Sequence, residues 1–189
     1  MRTIRPNAFG VLEIEVINAS ATVPGWLSVV IVLAICTAIF MGSRLPVEHT
    51  ATVTEAIPAS QQKVWGLITD PAAMPKWRTG LKAVTILPSE NGAPCWAEVQ
   101  SSMTMPLCAD VREAPSRQVV RIADPKLPFG GTWTYELEPV TADVTKVTIT
   151  ERGTTGPAMW RFMGHYVLGE DSSIRQYMGD LGRAAAQPN

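Results

Sequence analysis

The sequence predicts an α+β protein in which a curved antiparallel sheet closes round a long C-terminal helix, preceded by a single transmembrane helix. Three observations predict it. The stretch Val16 to Ser43 is strongly apolar and holds no charged residue. From His49 to Glu151, β-branched residues alternate in short segments separated by Pro, Gly and Asp, the pattern of half-buried strands joined by turns. From Pro157 to about Arg183, Trp160, Met163, Val167, Ile174, Tyr177, Met178 and Leu181 recur at helical spacing.

The apolar run reads as a membrane helix over residues 23–43, opening near Pro24, which suits a first helical turn. At ~1.5 Å per residue its length covers ~30 Å of hydrocarbon. Trp26 falls at one interface and Arg44 can snorkel at the other. The basic Arg2 and Arg5 lie too far upstream for a signal peptide, and no A-x-A site follows the run. A buried core helix would show one apolar face, whereas this run is apolar all round. Arg44 alone carries positive charge near the span, which leans the C-terminal domain towards the cytoplasm. Residues 1–22 form a leader in which Leu12, Ile14 and Val16 alternate with Glu13 and Glu15, a short-strand pattern.

The 189 residues carry 16 basic and 17 acidic side chains, a net charge of −1, so nothing resembles the basic footprint of a nucleic-acid binder. Setting aside Arg2, Arg5, Glu13 and Glu15, residues 43–189 keep 14 basic and 15 acidic groups and enough length for one core. Cys36, Cys95 and Cys108 are too few for a disulfide scaffold, and no Cys/His spacing suits a metal. No glycine-rich phosphate loop and no G-x-S-x-G elbow occurs; Ser101-Ser102 and Thr154-Thr155 fall in turns. The expectation is therefore no metal and no cofactor.

Within the domain, His49–Ile57 is the first strand. Ser60 caps a short helix whose apolar face is Val64, Trp65 and Ile68. Asp70-Pro71 ends that helix, and Pro75 before Trp77 ends a further turn. Lys82–Leu87 is a strand closed by Pro88 and the Asn91-Gly92 turn. Cys95–Ser102 and Pro106–Glu113 form a hairpin pair, followed by strands at Gln118–Ile122, Gly131–Glu138 and Thr145–Glu151. Gly164, Gly169 and Ser172–Ser173 soften the middle of the final helix, where a bend is expected. A curved sheet round one helix leaves a concave apolar space where the two separate, the kind of place small molecules bind.

Two stretches carry a family resemblance. Ile57-Pro58-Ala59-Ser60, then Val64-Trp65, Asp70-Pro71 and Pro75-Lys76-Trp77, resemble the opening of the START-related SRPBCC superfamily, in its polyketide cyclase/dehydrase-like branch. Phe129-Gly130-Gly131-Thr132-Trp133-Thr134-Tyr135-Glu136-Leu137-Glu138-Pro139 and Thr145–Glu151 resemble its closing strands. The likeness runs over residues 48–186 and implies a helix-grip fold whose cavity binds hydrophobic ligands such as lipids, polyketides or isoprenoid quinones. Such members include enzymes, carriers and sensors, so the fold alone fixes no reaction.

Period-2 alternation puts Trp133, Tyr135 and Leu137 on one face of their strand, and Val147, Ile149 and Glu151 on one face of theirs. With Trp77, Trp96, Phe129, Met163 and Val167 they make the expected ligand pocket. Glu151 and Tyr135 are the catalytic candidates; otherwise Glu151 stands in water or pairs with Arg152 or Lys146, and Tyr135 is core. Trp77 and Leu127-Pro128-Phe129 fall in connections expected at the cavity mouth. His165 has Glu170 five residues on, off its helix face, so it and His49 are read as structural. Cys95 and Cys108 sit on the hairpin, as reduced thiols or, on an oxidising side, a disulfide.

The expected function is a membrane-anchored domain binding a hydrophobic small molecule or lipid, held near the bilayer by the short stretch Ser43–His49. Two alternatives stand beside it. One is a cyclase/dehydrase-type enzyme. The other is a non-catalytic subunit whose span packs in a membrane complex through Ser28, Ala34, Thr37 and Ala38.

Overall fold

The computed structural model describes residues 3–6, 12–15, 24–101 and 103–188. Most of the leader, including Val16, and the Ser102 half of the Ser101-Ser102 turn therefore lie outside the described residues. The chain divides into two compact units, Met1–Thr37 and Ala38–Asn189. In the first, strands β1 (Thr3–Pro6) and β2 (Leu12–Glu15) pair antiparallel. Helix α1 spans Gly25–Ser43, long and apolar enough to cross a membrane, with large side chains such as Trp26, Leu33 and Phe40 exposed.

The second unit is built on a seven-stranded antiparallel sheet. Its strands are β3 (Glu48–Ile57), β4 (Ala83–Glu90), β5 (Ala93–Val99), β6 (Thr104–Glu113), β7 (Arg117–Ile122), β8 (Phe129–Thr141) and β9 (Val144–Thr155). They lie in the order β3-β9-β8-β7-β6-β5-β4, so only the first strand leaves chain order, joining the outer side of the last. Helix α2 (Gln61–Thr69) starts at Ser60, whose hydroxyl accepts from Lys63 N, and buries Val64 and Ile68. Asp70 ends it and caps the following 3-10 turn, Pro71–Lys76, through Ala73 N.

Two features depart from the sequence reading. Strand β4 continues through Pro88 to Glu90 with a register break after Leu87. An edge strand with a bulge tolerates the missing N–H, and the chain turns at Asn91-Gly92 as expected, with φ of 50° and 83°. The final helix is not continuous. It comprises α3 (Ala158–Met163), a π turn at Gly164–Leu168, a break at Gly169, and α4 (Ser172–Ala185). Gly169 adopts φ 87°, a value side-chain-bearing residues resist, and the helix cannot pass through it.

Helix α4 delivers the apolar stripe that the spacing predicts. Ile174, Tyr177, Met178, Leu181 and Ala185 are buried against β3, α2, β8 and β9. A separate buried cluster, Trp96, Leu107, Ala109 and Val120, sits on β5, β6 and β7. Trp133 and Tyr135 pack against both clusters. The core is thus two apolar bodies bridged by two aromatic rings, with space left between them. This is a helix-grip fold, a curved sheet holding α4.

Candidate functional site

That space is an inner cavity of about 140 Å³. Alternation along the strands chooses its walls: Trp96 and Glu98 from β5, Gln118 and Val120 from β7, Trp133 and Tyr135 from β8, Ile149 from β9. Helix α4 closes it with Ile174 and Tyr177, α2 adds Ile68, and Arg78 enters from the coil after the 3-10 turn.

Its polar side is concentrated in one cluster. Glu98 is 2% exposed, and its Oε1 accepts from Arg78 Nη1 at 2.5 Å and from Trp96 Nε1 at 3.3 Å. The Arg78 guanidinium also lies 5.0 Å from the Tyr177 ring centroid, a cation–π contact. Burial works against the charge on Arg78, but the Glu98 carboxylate offsets it and holds the guanidinium above its usual range. Burial, reinforced by the negative potential of Glu98, pushes the Tyr135 and Tyr177 phenols up. Both therefore keep their protons at neutral pH and can donate a hydrogen bond.

Two polar atoms on this wall are left over. Glu98 Oε2 and Gln118 Oε1 are buried and have no hydrogen-bond partner among the described residues. Each such group costs about 1–3 kcal/mol unless a ligand or water completes it. Both only accept, so the wall complements a molecule that donates hydrogen bonds.

A larger, more open vestibule of about 510 Å³ shares Gln100, Met105, Trp133 and Ser173 with the inner cavity. Phe129 and Trp160, 5.9 Å apart, stand on its wall. Both histidines of the chain line it, each with a carboxylate. His49 Nε2 is 3.5 Å from Glu151 Oε1, and Ser173 Oγ donates to Glu151 Oε2 at 3.1 Å. A Cβ on Gly153 would lie 2.4 Å from the His49 ring, so only glycine lets the imidazole settle over β9. His165 Nδ1 is 3.0 Å from Glu170 Oε1.

The expected pocket residues separate into groups. Trp96, Trp133, Tyr135 and Ile149 line the inner cavity, while Phe129, Trp133 and Glu151 line the vestibule. Leu137 and Val147 face inward but are buried in the core with α4. Trp77 lines neither space; it packs on that core, with its ring edge to Tyr177 at 5.5 Å. Met163 and Val167 also line neither, Val167 being 58% exposed, because the π turn rotates that segment away from the stripe on α4. Glu151 pairs with His49 and Ser173, not with Arg152 or Lys146; Lys146 instead meets Glu138 at 2.6 Å. His165 and Glu170 do meet, because the π turn and the Gly169 break replace ordinary helical spacing.

The sequence reading missed Arg78, Glu98 and Gln118. The signal for Glu98 was present, since it follows Trp96 by two residues on one strand. Cys95 and Cys108 face each other in register and form a disulfide. Both are buried.

Fold and site together define a helix-grip domain with an internal chamber. Residues 48–185 match the family model described as polyketide cyclase / dehydrase and lipid transport, and the chain belongs to that family. Among solved structures, it is similar to the Zhui aromatase/cyclase from Streptomyces sp. R1128, with a TM-score of 0.60 and 16% identity over 72% of this chain and 93% of that one. A START superfamily protein from Mycobacterium smegmatis gives 0.58 and 15% over 72% and 97%. Norcoclaurine synthase from Thalictrum flavum gives 0.58 and 10% over 76% and 96%. At such identities the likeness is one of fold. A search of curated protein sequences finds no match.

Proposed function

We propose that the protein is a membrane-anchored binding domain for a hydrophobic small molecule or lipid whose polar end donates hydrogen bonds. The observation that carries this reading is the pair of unpartnered acceptors, Glu98 Oε2 and Gln118 Oε1, on the wall of a largely aromatic and aliphatic chamber. The inner cavity has room for a compact polar head, and the vestibule for the apolar remainder. Helix α1 supplies the anchor, being apolar on every side and 19 residues long. The family's description, which names lipid transport beside cyclase and dehydrase activity, agrees with a ligand of this class.

The test is to purify the full chain in detergent, wash it extensively, denature it and analyse the organic extract by mass spectrometry. One amphipathic molecule bearing hydroxyl or amine groups, near-stoichiometric and enriched over bulk membrane lipid, is the expected result. An extract indistinguishable from bulk lipid, with no exchange of added lipids, would sink the proposal.

A second reading, a cyclase-type enzyme, is favoured by one observation: two phenols kept protonated beside a carboxylate within one chamber. That arrangement can donate a proton to a carbonyl while Glu98 accepts one. Glu151, held by His49 and Ser173, serves in this reading as the vestibule's acid or base. Conversion of the recovered molecule by the wild type but not by Tyr135→Phe separates enzyme from carrier.

The buried disulfide bears on sidedness. Such bonds persist in oxidising compartments and are rare in the cytosol. The reading therefore puts the folded domain on the oxidising side of the membrane, against the cytoplasmic lean of Arg44. A membrane-impermeant protease added to intact cells should degrade the domain, and Cys95 and Cys108 should resist thiol tagging until reduced. Protection from the protease together with two free thiols would reverse the assignment.

A further inference from the structure

We infer that the segment Ala158–Leu168 is a bilayer-contact surface that sets the mouth of the vestibule at the lipid interface; this rests on the anchoring role proposed for α1. The segment reads AMWRFMGHYVL, and none of its residues is buried. Trp160, Tyr166, Val167 and Leu168 are 46%, 52%, 58% and 64% exposed. Large apolar side chains exposed this closely along one short segment mark an interaction site on a folded protein.

Its arginine is turned back onto the protein. Arg161 Nε donates to Gly42 O at 3.0 Å, and its Nη1 donates to Thr155 O at 3.1 Å and to Gly156 O. His165 is held by Glu170. The guanidinium is thus committed to backbone carbonyls, while the exposed His165 is paired with the exposed Glu170 beside the outward aromatic and aliphatic side chains.

The occupant follows from where the segment begins. Gly42, in the last turn of α1, is seated directly on Ala158: a Cβ there would lie 1.9 Å from Ala158 O. Gly42 is also the one buried residue of that helix. The segment therefore starts at the level where the apolar helix ends, with Arg44 over the Phe40 ring at 5.0 Å marking the same level. Trp and Tyr favour the membrane–water interface, and an apolar helix face settles ~5–10 Å into the boundary of headgroups and acyl chains. The vestibule is lined both by Leu45, Pro46 and Val47, which directly follow the apolar helix, and by Trp160 and Leu168 of the segment. A molecule dissolved in the leaflet then meets the cavity without passing through bulk water.

The test uses the full chain reconstituted in phosphatidylcholine vesicles. A polarity-sensitive fluorophore is attached to Leu168→Cys, and in parallel to Val167→Cys, in a Cys36→Ala background. The control is Val140→Cys, equally exposed at 60% but at the end of β8 remote from Phe129. Bromine carried on acyl chains should quench the probes at 167 and 168 several-fold more than aqueous iodide does, with the reverse order at 140. Iodide quenching at all three sites, in protein that resists alkaline carbonate extraction, would overturn the inference and leave the anchor standing. Shielding of 167 and 168 from both quenchers would assign the surface to a protein partner or a second copy and equally overturn it. Release of the chain by carbonate would instead remove the anchoring reading beneath it.

Discussion

Replacing Arg78 with methionine is expected to cost about 3–5 kcal/mol of stability, the largest effect of any single change at the site. Methionine keeps most of the side chain's volume but leaves Glu98, 2% exposed, without its cationic partner. A carboxylate so deep in the fold has no route to bulk water. The complementary change, Glu98→Leu, should cost less, because the Arg78 side chain keeps 20% exposure and can turn its charge towards solvent. The double variant Arg78→Met/Glu98→Leu should return to wild-type stability or exceed it, as apolar replacement of a buried pair commonly does. Thermal unfolding of the four proteins in detergent measures the cycle. Both the single and double variants should lose the co-purifying molecule. Single variants as stable as the wild type would mean that the ion pair is not desolvated and that the chamber is wetter than its walls imply.

The second large effect has opposite signs for stability and for binding. Gln118→Leu removes a buried carbonyl oxygen that has no partner among the described residues. The change should stabilise the unliganded protein by about 1–3 kcal/mol, the cost of such an orphan. It should also weaken the co-purifying molecule's binding about tenfold or more, the worth of one hydrogen bond near 1.4 kcal/mol. Melting temperature and affinity, measured on the same preparation, must therefore move in opposite directions. A fall in both would show that Gln118 supports the fold and is no ligand contact.

The inward row Trp133, Tyr135 and Leu137 was legible because a strand alternates its side chains whatever the partner strand does. The same logic reaches Glu98 from Trp96, yet a charged residue in an alternating strand reads first as solvent-facing. Arg78 was not legible, for it stands in coil beyond a 3-10 turn, where no period applies. The pairing of Cys95 with Cys108 required the register of β5 on β6, which the hairpin's sequence left open. His165 shows the converse error: helical spacing separated it from Glu170, and the π turn and Gly169 brought them to 3.0 Å.

Local pattern thus determined the kinds of element, their order, the apolar helix and the faces turned inward, because each depends on residues only a few positions apart. The tertiary structure alone decided which polar groups meet. Arg78 reaches Glu98, His49 reaches Glu151, and Arg161 reaches Gly42 only after strand order, register and the helix break are fixed. Those contacts join residues far apart in the chain, and no periodicity encodes a distance of that kind.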